Sequence, residues 1–184
     1  MPQHPGCPSS RRSALLALVA ASGALVVPRV VWASSPRIGA MLGGYKHAGG
    51  QHERQQLASA IEDIVGRMSF LVRGLARDRL RTANPVPSSL VLAADERHFM
   101  LSYRDERFVA PLDGSAVTVR SKDGEAMSLR VALKERAVSQ VFSTEGKSRE
   151  NRFRLENGKL VIDVRVVADQ LPKPLAYRLT YAKA

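Results

Sequence analysis

The chain has 184 residues, with 28 Lys or Arg against 17 Asp or Glu, a net charge of +11 and a single cysteine. That cysteine, Cys7, lies in a segment read below as removable. What remains then excludes disulfides, thiolate metal sites and a cysteine nucleophile. A basic exported domain is drawn to anionic lipid headgroups, acidic glycans or stray nucleic acid. Arg outnumbers Lys 21 to 7, a bias that suits phosphate forks but that a GC-rich genome also produces.

Ser10-Arg11-Arg12 precedes an uncharged run of 14 residues, Ala14 to Val27, and the segment closes on Val31-Trp32-Ala33. A basic start, a short apolar run and small residues before a cut describe an export signal. A spanning helix needs about 20 apolar residues, so a permanent membrane anchor is not expected. Cleavage is placed between Ala33 and Ser34, with Ile38-Gly39-Ala40 as a later option. Ser10-Arg11-Arg12-Ser13-Ala14-Leu15 resembles a twin-arginine signal, departing from it at Ala14. Residues 1–33 carry three of the basic residues (Arg11, Arg12, Arg29) and no acid, so the exported remainder has a charge of +8. The expected destination is the periplasm or the exterior.

Residues 34–50 read as a flexible linker, because Pro36, Gly39, Gly43-Gly44 and Gly49-Gly50 discourage regular structure. Tyr45, Met41 and Leu42 are the residues that would pin it to the body. One long amphipathic helix follows from Gln51 to about Arg81, bent at Gly66 or Gly74. Leu57, Ile61, Ile64, Met68, Leu71 and Leu75 form its stripe. Asn84-Pro85-Val86-Pro87 ends it.

From Ser88 the apolar period becomes two. Strands are predicted over 89–94, 97–103, 106–111, 115–121, 126–134, 137–144, 149–156, 159–168 and 175–182. Asn157-Gly158 is the strongest hairpin signal, with Asp113-Gly114 and Asp123-Gly124 as further turns. The expected fold is α+β. One long helix packs on a curved antiparallel meander of about eight or nine short strands, a half-barrel or small barrel, in a single domain over 51–184.

Motifs for chemistry are sparse. His47 and His52 stand five apart across Gly49-Gly50, a poor zinc spacing, and read as a solvated pair. Glu145-Gly146-Lys147-Ser148 ends like a phosphate loop, but Val141 stands where that loop needs glycine, so it reads as a hairpin turn. His98 with Ser102 or Asp105 is the nearest approach to a triad, yet strand alternation explains its placement. The pairs Asp95-Glu96 and Asp105-Glu106 fall at turns. No catalytic residue, metal ligand or cofactor is assigned, and a nucleic-acid partner is not expected because the aromatic residues among the arginines fall at core positions.

Two binding readings remain. Phe70, Phe99, Phe142, Tyr177 and Tyr181 could line an apolar cavity between helix and sheet. Arg73, Arg77 and Arg81, at the basic end of the helix, could meet an anionic envelope component, lipid or glycan. The runs Asn151-Arg152-Phe153-Arg154-Leu155, Asn157-Gly158-Lys159-Leu160 and Ala176-Tyr177-Arg178-Leu179-Thr180-Tyr181 resemble the end of uncharacterised exported bacterial proteins. Those are similar to short lipocalin-like β-meanders. The resemblance covers about 51–184 and implies an α+β extracytoplasmic domain without assigning site residues. The resulting expectation is a non-catalytic module for an apolar or amphipathic small molecule.

Overall fold

Nine strands from Ser89 onward follow the period-two pattern closely, in a computed structural model that describes residues 38–120 and 124–184. The signal-like segment and the Ala33–Ser34 cut lie outside the described residues. The strands are β2 (Ser89–Ala94), β3 (His98–Tyr103), β4 (Glu106–Pro111), β5 (Asp113–Arg120) and β6 (Ala126–Lys134). They continue with β7 (Ala137–Thr144), β8 (Lys147–Glu156), β9 (Lys159–Ala168) and β10 (Leu175–Lys183). The β8–β9 hairpin closes on Asn157 (φ 51°) and Gly158 (φ 75°), the two left-handed positions that a right-twisted two-residue turn demands. Gly146 (φ 69°) turns β7 into β8, so the phosphate-loop fragment is a hairpin turn.

The expected linker contains a tenth strand, β1 (Gly43–His47). It pairs antiparallel with β2 on one side (Tyr45↔Leu90) and with β10 on the other (Tyr45↔Lys183). All ten strands form one sheet in the order β4-β3-β2-β1-β10-β9-β8-β7-β6-β5. Its two edges, β4 and β5, are consecutive in the chain and lie beside each other without a ladder, so the sheet is a nearly closed barrel.

The expected single helix is two: α1 (Gly50–Gly66) and α2 (Arg73–Ala83), separated by a short 3-10 turn at Phe70–Val72. α1 keeps the predicted stripe, burying Leu57, Ile61, Ile64 and Val65 against the sheet. Gly66, a weak helix former, ends it, and the Arg67 amide bonds back to the Ile64 and Val65 carbonyls. The restart shifts the buried phase onto Leu80, with Ala76 partly covered. Leu71 and Leu75, in phase with α1, are therefore left 85% and 57% exposed. None of the described helices is long and apolar enough to cross a membrane.

Alternation turns one face of every strand inward. Phe99, Phe153, Leu129, Leu160, Leu175 and Tyr181 are completely covered there. Each such side chain contributes roughly 1.5–3 kcal/mol of burial. Tyr45 is likewise buried and donates its hydroxyl to the Met41 carbonyl (2.8 Å), which ties the segment before β1 to the barrel.

Candidate functional site

The barrel interior is not completely filled. A cavity of about 890 Å³ lies between α2 with its following Pro85–Pro87 segment and the inner face of the sheet. That volume is in the range of small-molecule pockets. Its walls are largely apolar: Leu90, Leu101, Phe108, Met127, Phe142, Phe153, Ile162, Val164, Leu179 and Tyr181. Charged and polar groups (Asp78, Arg79, Thr82, Arg104, Glu106, Lys147) line it as well.

From the sheet, β8 brings Arg149 into this apolar wall, two residues on from Lys147 at the strand's start. On β8 the inward positions read Arg149, Asn151, Phe153, so a guanidinium occupies a slot in phase with the core. Its Nε donates to Asn151 Oδ1 (3.0 Å), and one terminal nitrogen donates to the Tyr177 hydroxyl (3.1 Å). The other donates to the Ala83 carbonyl (3.2 Å) and to Asn84 Oδ1 (3.3 Å), both at the end of α2. Every one of these acceptors is neutral. Asn151 in turn donates to Gln140 Oε1 (3.0 Å), while the fully buried Gln140 Nε2 has no protein partner among the described residues.

The phenols around this node are kept protonated. Burial raises the Tyr103 pKa to about 12, with the neighbouring Glu106 charge adding to it. Burial likewise raises those of Tyr177 and Tyr181, and the Arg149 charge only partly offsets the rise. Tyr177 therefore donates to Asn84 Oδ1 (3.3 Å) as a neutral hydroxyl, and Tyr181 donates to the Pro87 carbonyl (3.1 Å). The site can thus offer apolar contact, a guanidinium whose hydrogen-bond partners are all neutral, and neutral hydroxyls. Among the described residues no group of three or more His, Cys, Asp or Glu could hold a metal.

The residues anticipated from the sequence distribute unevenly. Phe142 and Tyr181 line the cavity. Phe99 is buried beside Phe153, ring centroids 5.6 Å apart, and Tyr177 touches the site through its hydroxyl. Phe70 is 79% exposed on the turn between the helices, well away from the core face it was expected to share. Arg77 and Arg81 both pair with the Glu62 carboxylate (2.8 and 3.1 Å). Arg73 instead donates to the Gly66 and Met68 carbonyls (2.9 and 3.1 Å), which holds the turn together. His47, expected in solvent, is buried and bonds Glu53 at 3.1 Å, while His52 stays exposed beside Gln56. Arg149 and Asn151 were not anticipated. Their signal was available: Arg149 and Asn151 stand in phase with Phe153 and Leu155 on β8.

No family model and no curated protein matches the sequence. Solved structures do match in shape. The REP1-NXSQ fatty acid transporter aligns with a TM-score of 0.50 and 10% identity over 78% of this chain and 96% of that one. The fluorescent protein UnaG aligns at 0.51 and 13% over 80% and 99%. A secretory abundant heat soluble protein from Ramazzottius varieornatus aligns at 0.51 and 8% over 79% and 96%. At such identities the likeness is one of fold alone: two helices on a nearly closed, ten-stranded antiparallel barrel.

Proposed function

We propose that the protein is a non-catalytic carrier of an amphipathic molecule, with an apolar tail in the barrel and an anionic head at Arg149. The observation that carries this reading is a guanidinium held by neutral acceptors alone inside a largely apolar cavity of about 890 Å³. A part-buried guanidinium with only neutral partners can take a counter-ion, and a ligand carboxylate or sulfonate would provide one through charge-assisted hydrogen bonds. That one barrel of similar shape is a fatty acid transporter supports the reading by analogy of fold. The basic, apolar opening of the sequence adds a proposal of export to the periplasm or exterior.

The test is native mass spectrometry and lipid extraction of the purified protein, followed by displacement of a fluorescent anionic probe with oleate. Retention of one amphipathic molecule per chain and displacement by oleate is the expected result. An empty protein that neither takes up the probe nor binds oleate refutes it.

A second reading draws on the turn between the helices. Phe70, Leu71, Val72 and Leu75 are exposed together, and Arg73, Arg77 and Arg81 lie on the neighbouring turns of α2, the last two shared with Glu62. An apolar tip with a basic rim suits an anionic membrane surface. Salt-sensitive binding to phosphatidylglycerol vesicles supports it, and equal binding to phosphatidylcholine vesicles counts against it.

A further inference from the structure

Arg149 serves two structures at once, and its supply of protons is nearly used up. A guanidinium has five N–H donors in a fixed planar fork. Asn151, Tyr177, Ala83 and Asn84 take four of them. One N–H, on the nitrogen facing Tyr177, remains free. A bidentate carboxylate needs two parallel N–H groups. Gripping the fork across its two terminal nitrogens, it would take the free proton and one of the two now given to the end of α2.

The end of α2 depends on those two protons more than most helix ends would. Helix C-termini leave their last carbonyls without intrahelical donors. Here the Ala83 carbonyl receives its donor from Arg149, while Asn84 folds back to donate to the Leu80 carbonyl (2.8 Å). Leu80 is the one residue of α2 that is fully buried. The helix is otherwise tied to α1 by Arg73 on the Gly66 carbonyl and by Arg77 and Arg81 on Glu62, exposed contacts of the kind that contribute little. Asp78, Arg79, Thr82 and Ala83 of the same helix form one wall of the cavity.

We infer that an anionic ligand head and the C-terminal end of α2 compete for the Arg149 guanidinium, so that loading with an anionic amphiphile unlatches α2. A neutral amphiphile of the same shape leaves it latched. A charged acceptor outbids a backbone carbonyl for the same donor, because charge-assisted hydrogen bonds are about twice as strong as neutral ones. The inference rests on the carrier reading for its ligand but not for the latch itself.

Hydrogen exchange of the full chain, read by mass spectrometry, tests both parts separately. Without ligand, Arg149→Met is expected to speed exchange of amides 76–84 about tenfold, the loss of one or two hydrogen bonds, with β8 to β10 unchanged. Asn84→Ala, which keeps the guanidinium, is expected to give a smaller increase in the same helix. Oleate on the unaltered protein is expected to reproduce the Arg149→Met pattern, and oleyl alcohol at matched occupancy to leave α2 as in the ligand-free protein. No change at 76–84 in either variant overturns the latch. Oleate retained with α2 unchanged or slowed overturns the competition. If native mass spectrometry finds neither lipid retained, the carrier reading and the competition fall together, and the ligand-free comparison still decides the latch.

Discussion

Replacing Gly49 by alanine sets two physical effects of opposite sign against each other. Gly49 has φ −74° and ψ −8°, a conformation open to any residue, at the start of α1. Backbone entropy alone would make alanine there stabilising by about 0.4–1 kcal/mol. Its surroundings say otherwise. A methyl group at Gly49 would lie 1.8 Å from Glu53 Oε2 and 1.9 Å from its Cδ. That carboxylate cannot simply swing away. It accepts the Thr180 amide of β10 (2.8 Å) and bonds His47 Nε2 of β1 (3.1 Å), joining two strands to the helix. Displacing it forfeits a charged hydrogen bond, about 1.5–3 kcal/mol, and leaves a part-buried amide unpaired at about 1–3 kcal/mol. The net expectation is a loss of about 2–4 kcal/mol, a large part of a domain's usual ~5–15 kcal/mol. Urea unfolding followed by circular dichroism measures it, with the midpoint falling at unchanged slope. In a Glu53→Ala background the clash is gone, and Gly49→Ala should be neutral or slightly stabilising. Equal stability of Gly49→Ala and the unaltered protein, or the same loss in both backgrounds, would refute the reasoning.

Three further outcomes are expected. Arg149→Met should weaken oleate binding about 10- to 100-fold, the loss of a charge-assisted pair, and leave oleyl alcohol within about twofold; a displacement titration reads both. All four tyrosines have raised pKa values, principally through burial, Tyr103 to about 12. Their folded-state values lie above the unfolded value near 10, so the stability they contribute is intact below about pH 10 and lost as pH climbs toward 12. Phenolate absorbance at 295 nm should therefore appear together with unfolding, and full ionisation of a still-folded protein would contradict the burial assignment. Under the export proposal, replacing Arg11-Arg12 by Lys-Lys should leave the protein unexported and uncut, as cell fractionation and intact mass would show; unimpeded export would point to the general route, and an unaltered protein that stays in the cytoplasm would refute the proposal.

The strands were legible because their information is local. Asn157-Gly158 and Gly146 set tight turns, and Leu129, Val131, Tyr177, Leu179 and Tyr181 alternate with polar neighbours. β1 was not, since Gly43-Gly44 carry no side chains to alternate and the strand exists only through partners at Leu90 and Lys183. Met68, Leu71 and Leu75 misled for the reverse reason. They continue a perfect helical stripe past Gly66, but tertiary packing had already found its buried face in Ala76 and Leu80. The site was half legible. Inward aromatic residues such as Phe142 and Tyr181 follow from alternation, whereas the meeting of Arg149 with Asn84, 65 positions away, follows from the barrel alone.

The placement of β1 between β2 and β10 has a consequence for how the chain comes to be folded. His47 pairs with Tyr181, and Lys46 with Ala182, so β1 waits for β10, the described strand farthest from it in sequence. Loop-closure entropy across that separation makes this pairing a late and slow step, in the manner of proteins dominated by distant contacts. Until that pairing forms, β2 to β4 and β5 to β10 can zip as local antiparallel units, but the seam between β1 and β10 stays open. Closing that seam is thus the last step in assembling the barrel, and the interior stays reachable from the side until it is taken.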